Sequence, residues 1–303
     1  MPEQISVASF SFDETGKILY DGQTVGHIAK GKSLLSPIAL ALPDVSFDDE
    51  AKETVQQRLD KWLNDLVQER LGLLLTATAS PLEGIARGLI QKLTESLGAF
   101  PRTEAGGNLK ALEREDRQAL RRLGIHIGRH LIYMPVLLRP ASVQLSVLLW
   151  ALYEDVEPLA PPPAGRVSLK QETDQPEGWL RAASFRPAGS LFVRADILER
   201  MAELAWTRLE KEKGPFLANE DFLALAGCGV DQLPGILESL HFNPSKEEGK
   251  WLPKSRAKPK PAKAVKKTTK PKNKPAHKPS KPKEVPIDPD NPFAKLQALK
   301  FNK

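Results

Sequence analysis

The chain has one cysteine, Cys228, among 303 residues. A lone thiol closes no intramolecular disulfide and cannot build a cysteine zinc cluster, which points to a reducing setting and makes the cytoplasm the expected location. Long apolar runs are missing too. None approaches the roughly 18–20 residues that span a bilayer, because prolines and arginines interrupt the best candidate, so no membrane partner is expected. The N-terminus has no basic start followed by an apolar core, and Glu3 and Asp13 argue against a transit peptide.

Acidic residues are absent from Trp251 to Lys283. The formal net charge of +6 therefore conceals a division: 16 of the 44 basic and 3 of the 38 acidic residues lie from Trp251 onward, leaving 28 basic against 35 acidic before it. The body stands near −7 and the tail near +13, so a polyanion is drawn to the tail and repelled on average by the body. Repeated prolines remove backbone donors and the lysines repel one another, which predicts a disordered, extended Lys/Pro-rich arm over 246–288. Its Lys258, Lys260, Lys266, Lys267, Lys270, Lys272 and Lys274 are the candidate nucleic-acid ligands, able to neutralise phosphates without choosing bases. Beyond it, residues 289–303 regain helical spacing with Asn291 as a cap. Phe293, Leu296 and Leu299 form a small apolar stripe, the candidate partner-docking face.

What is present in quantity is apolar sequence from Leu120 to Leu152. A helix ending before Gly124 gives way to an extended segment around Ile125, Ile127 and Leu131-Ile132-Tyr133. After Pro140 a helix carries Val143, Leu145, Val147, Leu148, Leu149, Trp150 and Leu152, apolar nearly all round, so it belongs inside the fold. At about 1.5–3 kcal/mol per fully buried large side chain, this stretch supplies a large share of the core. Upstream, Ser6–Phe12, Lys17–Tyr20 and Thr24–Ile28 read as strands, with Asp21-Gly22 as the hairpin turn. An amphipathic helix covers Asp48–Leu75. Ser80-Pro81-Leu82-Glu83 has the form of a capping box for a helix ending near Gly98. A charged helix over Asn108–Leu123 lies outside, its arginines interleaved with acids.

Glu157–Gly165 is proline-rich and predicts a boundary. Past it, Leu180–Arg186 and Ser190–Arg194 read as a hairpin, followed by a helix from Asp196, a short strand at Pro215–Leu217, a helix over Asn219–Ala226, the Gly227-Cys228-Gly229 turn and a helix over Asp231–Leu240. That order suggests a winged-helix-like unit. Its last helix has no Lys or Arg, so packing or partner docking is favoured over reading DNA.

Two further patterns carry chemistry elsewhere. Gly26, Gly31, Lys32 and Ser33 satisfy the Walker A spacing, but a P-loop needs a buried strand before it and a helix after it. Here a hairpin arm enters, Pro37 follows closely, and no Walker B strand is found, so chance occurrence is favoured and ATP binding is the alternative. His126 and His130 are four apart in a segment that reads as extended, with no third ligand nearby; packing is favoured over a metal. Cys228 reads as a small core residue rather than a nucleophile. No catalytic residue, metal or cofactor is expected.

A family resemblance rests on Leu123-Gly124-Ile125, Gly128, His130-Leu131-Ile132-Tyr133-Met134-Pro135, Leu137-Leu138-Arg139-Pro140 and Leu149-Trp150-Ala151-Leu152. Gly84-Ile85-Ala86-Arg87-Gly88, Leu97-Gly98, Val193 to Arg200, Gly227-Cys228 and Ile236 to Leu240 extend it. These words resemble the C-terminal half of bacterial DExH-type RNA helicases related to the mitochondrial degradosome helicase. The resemblance implies an accessory region without the two RecA-like motor domains, the chain starting after them.

The expected fold is α+β and mostly helical: a small β-hairpin region (1–46), a helical core domain (47–156), a hairpin plus helix-turn-helix-like subdomain (165–245), the arm and the terminal peptide. The expected function is a non-catalytic, helicase-related accessory region. It binds RNA or other nucleic acid through the arm, and a separately encoded helicase motor or another protein through the body. The alternatives are an ATP-binding helicase-related enzyme using Gly26–Ser33, or a protein-interaction scaffold.

Overall fold

Asp21 and Gly22 take φ of 48° and 78°, the left-handed pair that a tight hairpin turn requires. They join β2 (Lys17–Tyr20) to β3 (Gln23–Ala29) in an antiparallel sheet of four strands in sequence order, with β1 (Phe10–Phe12) at one edge and β4 (Ile38–Ala41) at the other. The structure is a computed structural model that describes residues 10–43, 49–106, 109–171 and 175–254. The arm lysines and the Phe293, Leu296, Leu299 stripe lie outside the described residues, as does the start of the first expected strand.

The edge of β4 is closed by a side chain. Gln56 donates through Nε2 to Ala39 O (2.7 Å) and accepts from Ala41 N–H (3.1 Å), satisfying the groups that a fifth strand would otherwise bond. Gln56 belongs to α1 (Asp49–Thr78), whose Leu59, Trp62, Leu63, Leu66, Val67, Leu71 and Leu74 are buried at helical spacing. Arg70 ties three elements together. Its guanidinium lies 5.0 Å from the Phe12 ring and donates to Ala141 O (3.0 Å) and Gln144 Oε1 (3.1 Å).

The second helix does not start at the capping box. α2 spans Gly84–Glu95; Gly84 has φ +56°, and the Ser80 hydroxyl donates back to Ala77 O (2.7 Å) to finish α1. The outer charged helix is also shorter than expected. Leu109–Ala111 is a 3-10 turn, and α3 covers Arg114–Arg122. Arg117 bonds the carbonyls of Leu109 and Leu112, so it caps the turn before its own helix.

A three-stranded sheet follows, ordered β5 (Ala99–Pro101), β7 (Leu131–Tyr133), β6 (His126–Ile127). α4 (Pro140–Tyr153) buries Val143, Leu145, Val147, Leu148, Leu149 and Ala151, the centre its apolar surface demands.

Past the proline-rich stretch, β8 (Ser168–Lys170), β10 (Leu191–Arg194) and β9 (Phe185–Ala188) form one sheet. The expected hairpin arm from Leu180 is in fact helical at first: α5 spans Glu177–Ala182, and Ser184 at φ 62° turns the chain into β9. Then come α6 (Ala195–Glu212), β11 (Phe216–Leu217), α7 (Glu220–Ala226), α8 (Leu233–Ser239), β12 (Phe242–Pro244) and β13 (Lys250–Pro253), with sheet order β11-β13-β12. Asn219 caps α7, accepting from Asp221 N–H at 3.4 Å. The arm therefore does not begin at Lys246 as expected. Lys250–Pro253 is the central strand of a sheet, with Trp251 buried: its indole offsets the local lysine and proline content.

The architecture is α+β and mostly helical. Residues Met1–Ser255 form one compact unit with two apolar clusters. The clusters cross the Glu157–Gly165 stretch. Trp179, Leu180, Phe185 and Phe192 join the first, while Ala99 and Leu131 join the second. Among the described residues no helix is long and apolar enough to cross a membrane.

Candidate nucleic-acid interface

The Walker-A-like residues occupy a strand-to-strand connection. Gly26 lies inside β3, where a Cβ would meet Leu40 O at 2.6 Å, and Gly31 packs so closely on Ser36 that a Cβ would lie 1.7 Å from its carbonyl oxygen. The turn holds itself together, with Ser36 N–H donating to Ser33 O (3.0 Å) and the Ser33 hydroxyl donating to Ser36 Oγ (3.0 Å). Neighbouring Lys30 pairs with Asp155 at 2.6 Å, while Lys32 is exposed. The segment leads into β4 rather than into a helix, and the crevice beside it measures about 10 Å³, at the lower limit for a single water.

A more organised site forms where β6 and β7 meet α6. Glu199, on the first turns of α6, is 2% exposed. Its carboxylate accepts three main-chain N–H groups from the loop between the strands: Arg129 N–H, His130 N–H (3.0 Å) and Leu131 N–H (2.9 Å). Three converging donors suit a buried anion. Gly128 makes the approach possible, since a Cβ there would lie 2.3 Å from the Glu199 carboxyl carbon.

The side chains of this loop gather aromatic and basic groups. The Arg129 guanidinium lies 5.3 Å over the Trp206 ring and reaches Glu210 at 3.9 Å. Trp206 in turn sits 5.9 Å from Phe242. The His130 ring is 5.8 Å from that of His241. Burial holds the His130 imidazole below its ordinary range; His241 adds to this and Glu199 opposes it. Tyr133, 5.6 Å from His126, is pushed up by burial and then by Glu199, Glu203 and Asp196. His126 and His130 thus face different neighbours, and among the described residues no group of three or more His, Cys, Asp or Glu is placed to hold a metal ion. Burial raises the Cys228 thiol, the direction that suppresses a nucleophile.

Helix α8 turns its surface inward. Leu233, Ile236 and Leu237 are buried, and Gly235 packs backbone to backbone on Gly189 in the β9–β10 turn, where a Cβ on Gly189 would meet Gly235 Cα at 2.7 Å. Pro234 and Glu238 stay exposed. A helix with that rim offers a phosphate backbone no cation.

One cavity of about 270 Å³ opens between α2, α4 and α5, lined by Lys92 and Arg181 but also by Glu95, Glu104 and Glu154. Behind Arg181, the Arg186 guanidinium is 4% exposed and donates only to carbonyls, those of Phe185 (2.7 Å), Arg181 (3.2 Å) and Ala99. Burial chiefly brings it down to about 10, so it stays cationic at neutral pH and fastens β9 to β5.

The seam of Arg129, Glu199, Trp206 and His241 did not emerge from sequence spacing, because three separate segments supply it. One signal was available: Glu199 falls on the inward stripe of α6 with Ala195, Leu198 and Ala202, and an acid on a buried face needs donors. Neither a protein-family model nor a curated protein nor a solved structure matches the chain.

Proposed function

We propose that the chain is a non-catalytic accessory region of a helicase-like protein. It acts in the cytoplasm, binds RNA or another nucleic acid through the basic arm, and docks protein partners through the folded body and the Phe293, Leu296, Leu299 stripe. The observation that carries this is the charge segregation, a body near −7 followed by a tail near +13. Counterion release on a stretch of that sign gives affinity without base choice. The resemblance to DExH-type helicase C-terminal halves supports the helicase setting, and a separately encoded motor is the favoured protein partner. The order α6-β11-α7-α8-β12-β13, with β13 central in its sheet, supports a winged-helix-like unit. The acidic rim and buried face of α8 favour docking as its role.

The test is binding of labelled single-stranded RNA over a salt series. The seven candidate arm lysines are changed to glutamine in the full chain. At about 0.7 of log–log slope per phosphate, seven contacts contribute about 5 to the salt dependence, and the variant loses that part. Unchanged affinity and slope would instead favour the scaffold. RNA-stimulated ATP turnover abolished by Lys32→Ala would establish the enzyme.

A further inference from the structure

We propose that the folded body carries its own contact for unpaired nucleotides beside the root of the arm. A base stacks on the Arg129–Trp206 pair, and the adjoining phosphate meets Arg129, His130 and His241. This deepens the nucleic-acid role above and rests on it.

Placement comes first. Lys254, the last described residue before the arm, donates its N–H to His241 O at 2.7 Å. His241 faces His130 at 5.8 Å, and Arg129 follows on from Gly128 in the same loop. Lys254, at the end of the described chain, therefore lies next to these side chains. Chemistry comes second. A guanidinium over an indole, at 5.3 Å, is a planar cationic surface of the kind on which nucleobases stack whatever their identity. Arg129 is available: its side chain is 51% exposed, and its ion pair with Glu210 at 3.9 Å joins it to a carboxylate that is 71% exposed. A solvated pair of that kind is weak and readily exchanged for a phosphate, which guanidinium binds in two-pronged fashion. Rigidity comes third. The three N–H bonds to Glu199 fix the backbone of Arg129, His130 and Leu131, so the loop presents its side chains without a backbone ordering cost.

Glu203 and Glu210 on the exposed side of α6 limit what the site accepts. A polyphosphate or a duplex backbone brings much charge and no free base. A single strand brings one phosphate at a time and a ring to stack, so single-stranded, sequence-tolerant RNA is the fitting ligand.

The test uses the full chain, fluorescein-labelled oligouridylate and anisotropy, with Arg129→Ala, Arg129→Lys and Trp206→Leu placed in wild type and in the seven-lysine variant. Arg129→Ala and Trp206→Leu are expected to weaken binding about tenfold in both backgrounds, as loss of one stacked base does. Arg129→Lys should not restore it, because the charge returns without the plane. Arg129 lies at the rim, so its variants report even if Trp206→Leu disturbs packing on Phe242. Wild-type affinity in the Arg129 variants, full rescue by lysine, or equal competition by duplex RNA overturns the site. If Arg129→Ala has no effect while the lysine variant is weakened, the arm stands without the body site. If the lysine variant binds normally while Arg129→Ala is weakened, the arm's role falls and the site remains.

Discussion

Replacing Gly128 with alanine isolates what holds the β6–β7 loop to α6. The glycine has no left-handed φ, and the three nearest neighbours of an added Cβ are the carboxylate atoms of Glu199, at 2.3–2.5 Å. Alanine is thus compatible with the backbone and incompatible with one side chain. That carboxylate is 2% exposed and accepts three N–H groups, so displacing it strands a buried charge, at a cost of about 3–5 kcal/mol when partners are lost outright. The loop borders solvent at Arg129, which allows some relaxation, and about 3 kcal/mol is the expected loss for Gly128→Ala. Glu199→Ala leaves three N–H groups without their acceptor, each worth about 1 kcal/mol where water can partly replace it, so its loss is similar. The Glu199→Ala background removes the three atoms nearest the added methyl. There Gly128→Ala should become neutral or stabilise by about 0.4–1 kcal/mol, through the lower entropy of the unfolded chain. Urea unfolding of the four proteins in the cycle gives the coupling energy directly, expected at about 3 kcal/mol. Costs that add within about 0.5 kcal/mol would mean that Gly128 and Glu199 act independently, and would refute the account of the loop.

Two further perturbations test other parts of the fold. Gln56→Ala removes the bonds to Ala39 O and Ala41 N–H, costing about 1–2 kcal/mol and opening a sheet edge beside exposed Ile38, Leu40 and Leu42. Sedimentation velocity should then show concentration-dependent self-association, and a variant that stays monomeric throughout contradicts the edge-capping role. For pH, the folded His130 titrates below its unfolded value of about 6.5, so the unfolded chain binds the proton first. Its contribution is therefore complete above about pH 6.5 and declines as pH falls. Urea midpoints between neutral and mildly acid pH should decline less steeply in His130→Gln, where His241 and Glu199 remain; parallel curves would remove His130 as the cause.

Local signals carried the sequence a long way where one chemistry decided the outcome. Asp21-Gly22 forms its turn, α4 lies in the core because no face of it is polar, and Asn219 caps α7. The misses arose where a distant group decided. Ser80 had the spacing of a helix start, but its hydroxyl bonds backward to Ala77 and Gly84 turns the chain four residues later. Leu180 alternated like a strand, yet α5 forms because Trp179 and Leu180 bury against the first core. Lysine and proline around Trp251 mimicked the arm, while the indole joined β13 to two strands. The candidate seam was the least legible part. Glu199 can be suspected from its place on α6, but its donors belong to a loop about seventy residues earlier, and only tertiary structure brings them together.

The proposed binding of RNA by a cationic segment of a chain whose body is anionic raises the question of where on the body the polymer is least repelled. At physiological salt, fields fade over about 8 Å, so the acids that matter are those near the path of the strand rather than the total. Asp231 and Glu238 are exposed on the segment that a groove-reading protein would insert, and residues 231–239 include no Lys or Arg. Around Arg129 a guanidinium stands beside Glu203 and Glu210, while the Glu199 carboxylate is buried and turned onto three main-chain donors. Burying that acid under three N–H groups does two things at once. It turns the carboxylate oxygens inward onto main-chain donors, and it sets the loop that offers the guanidinium. The bonds that hold this part of the fold together are therefore also the ones on which the proposed RNA contact depends.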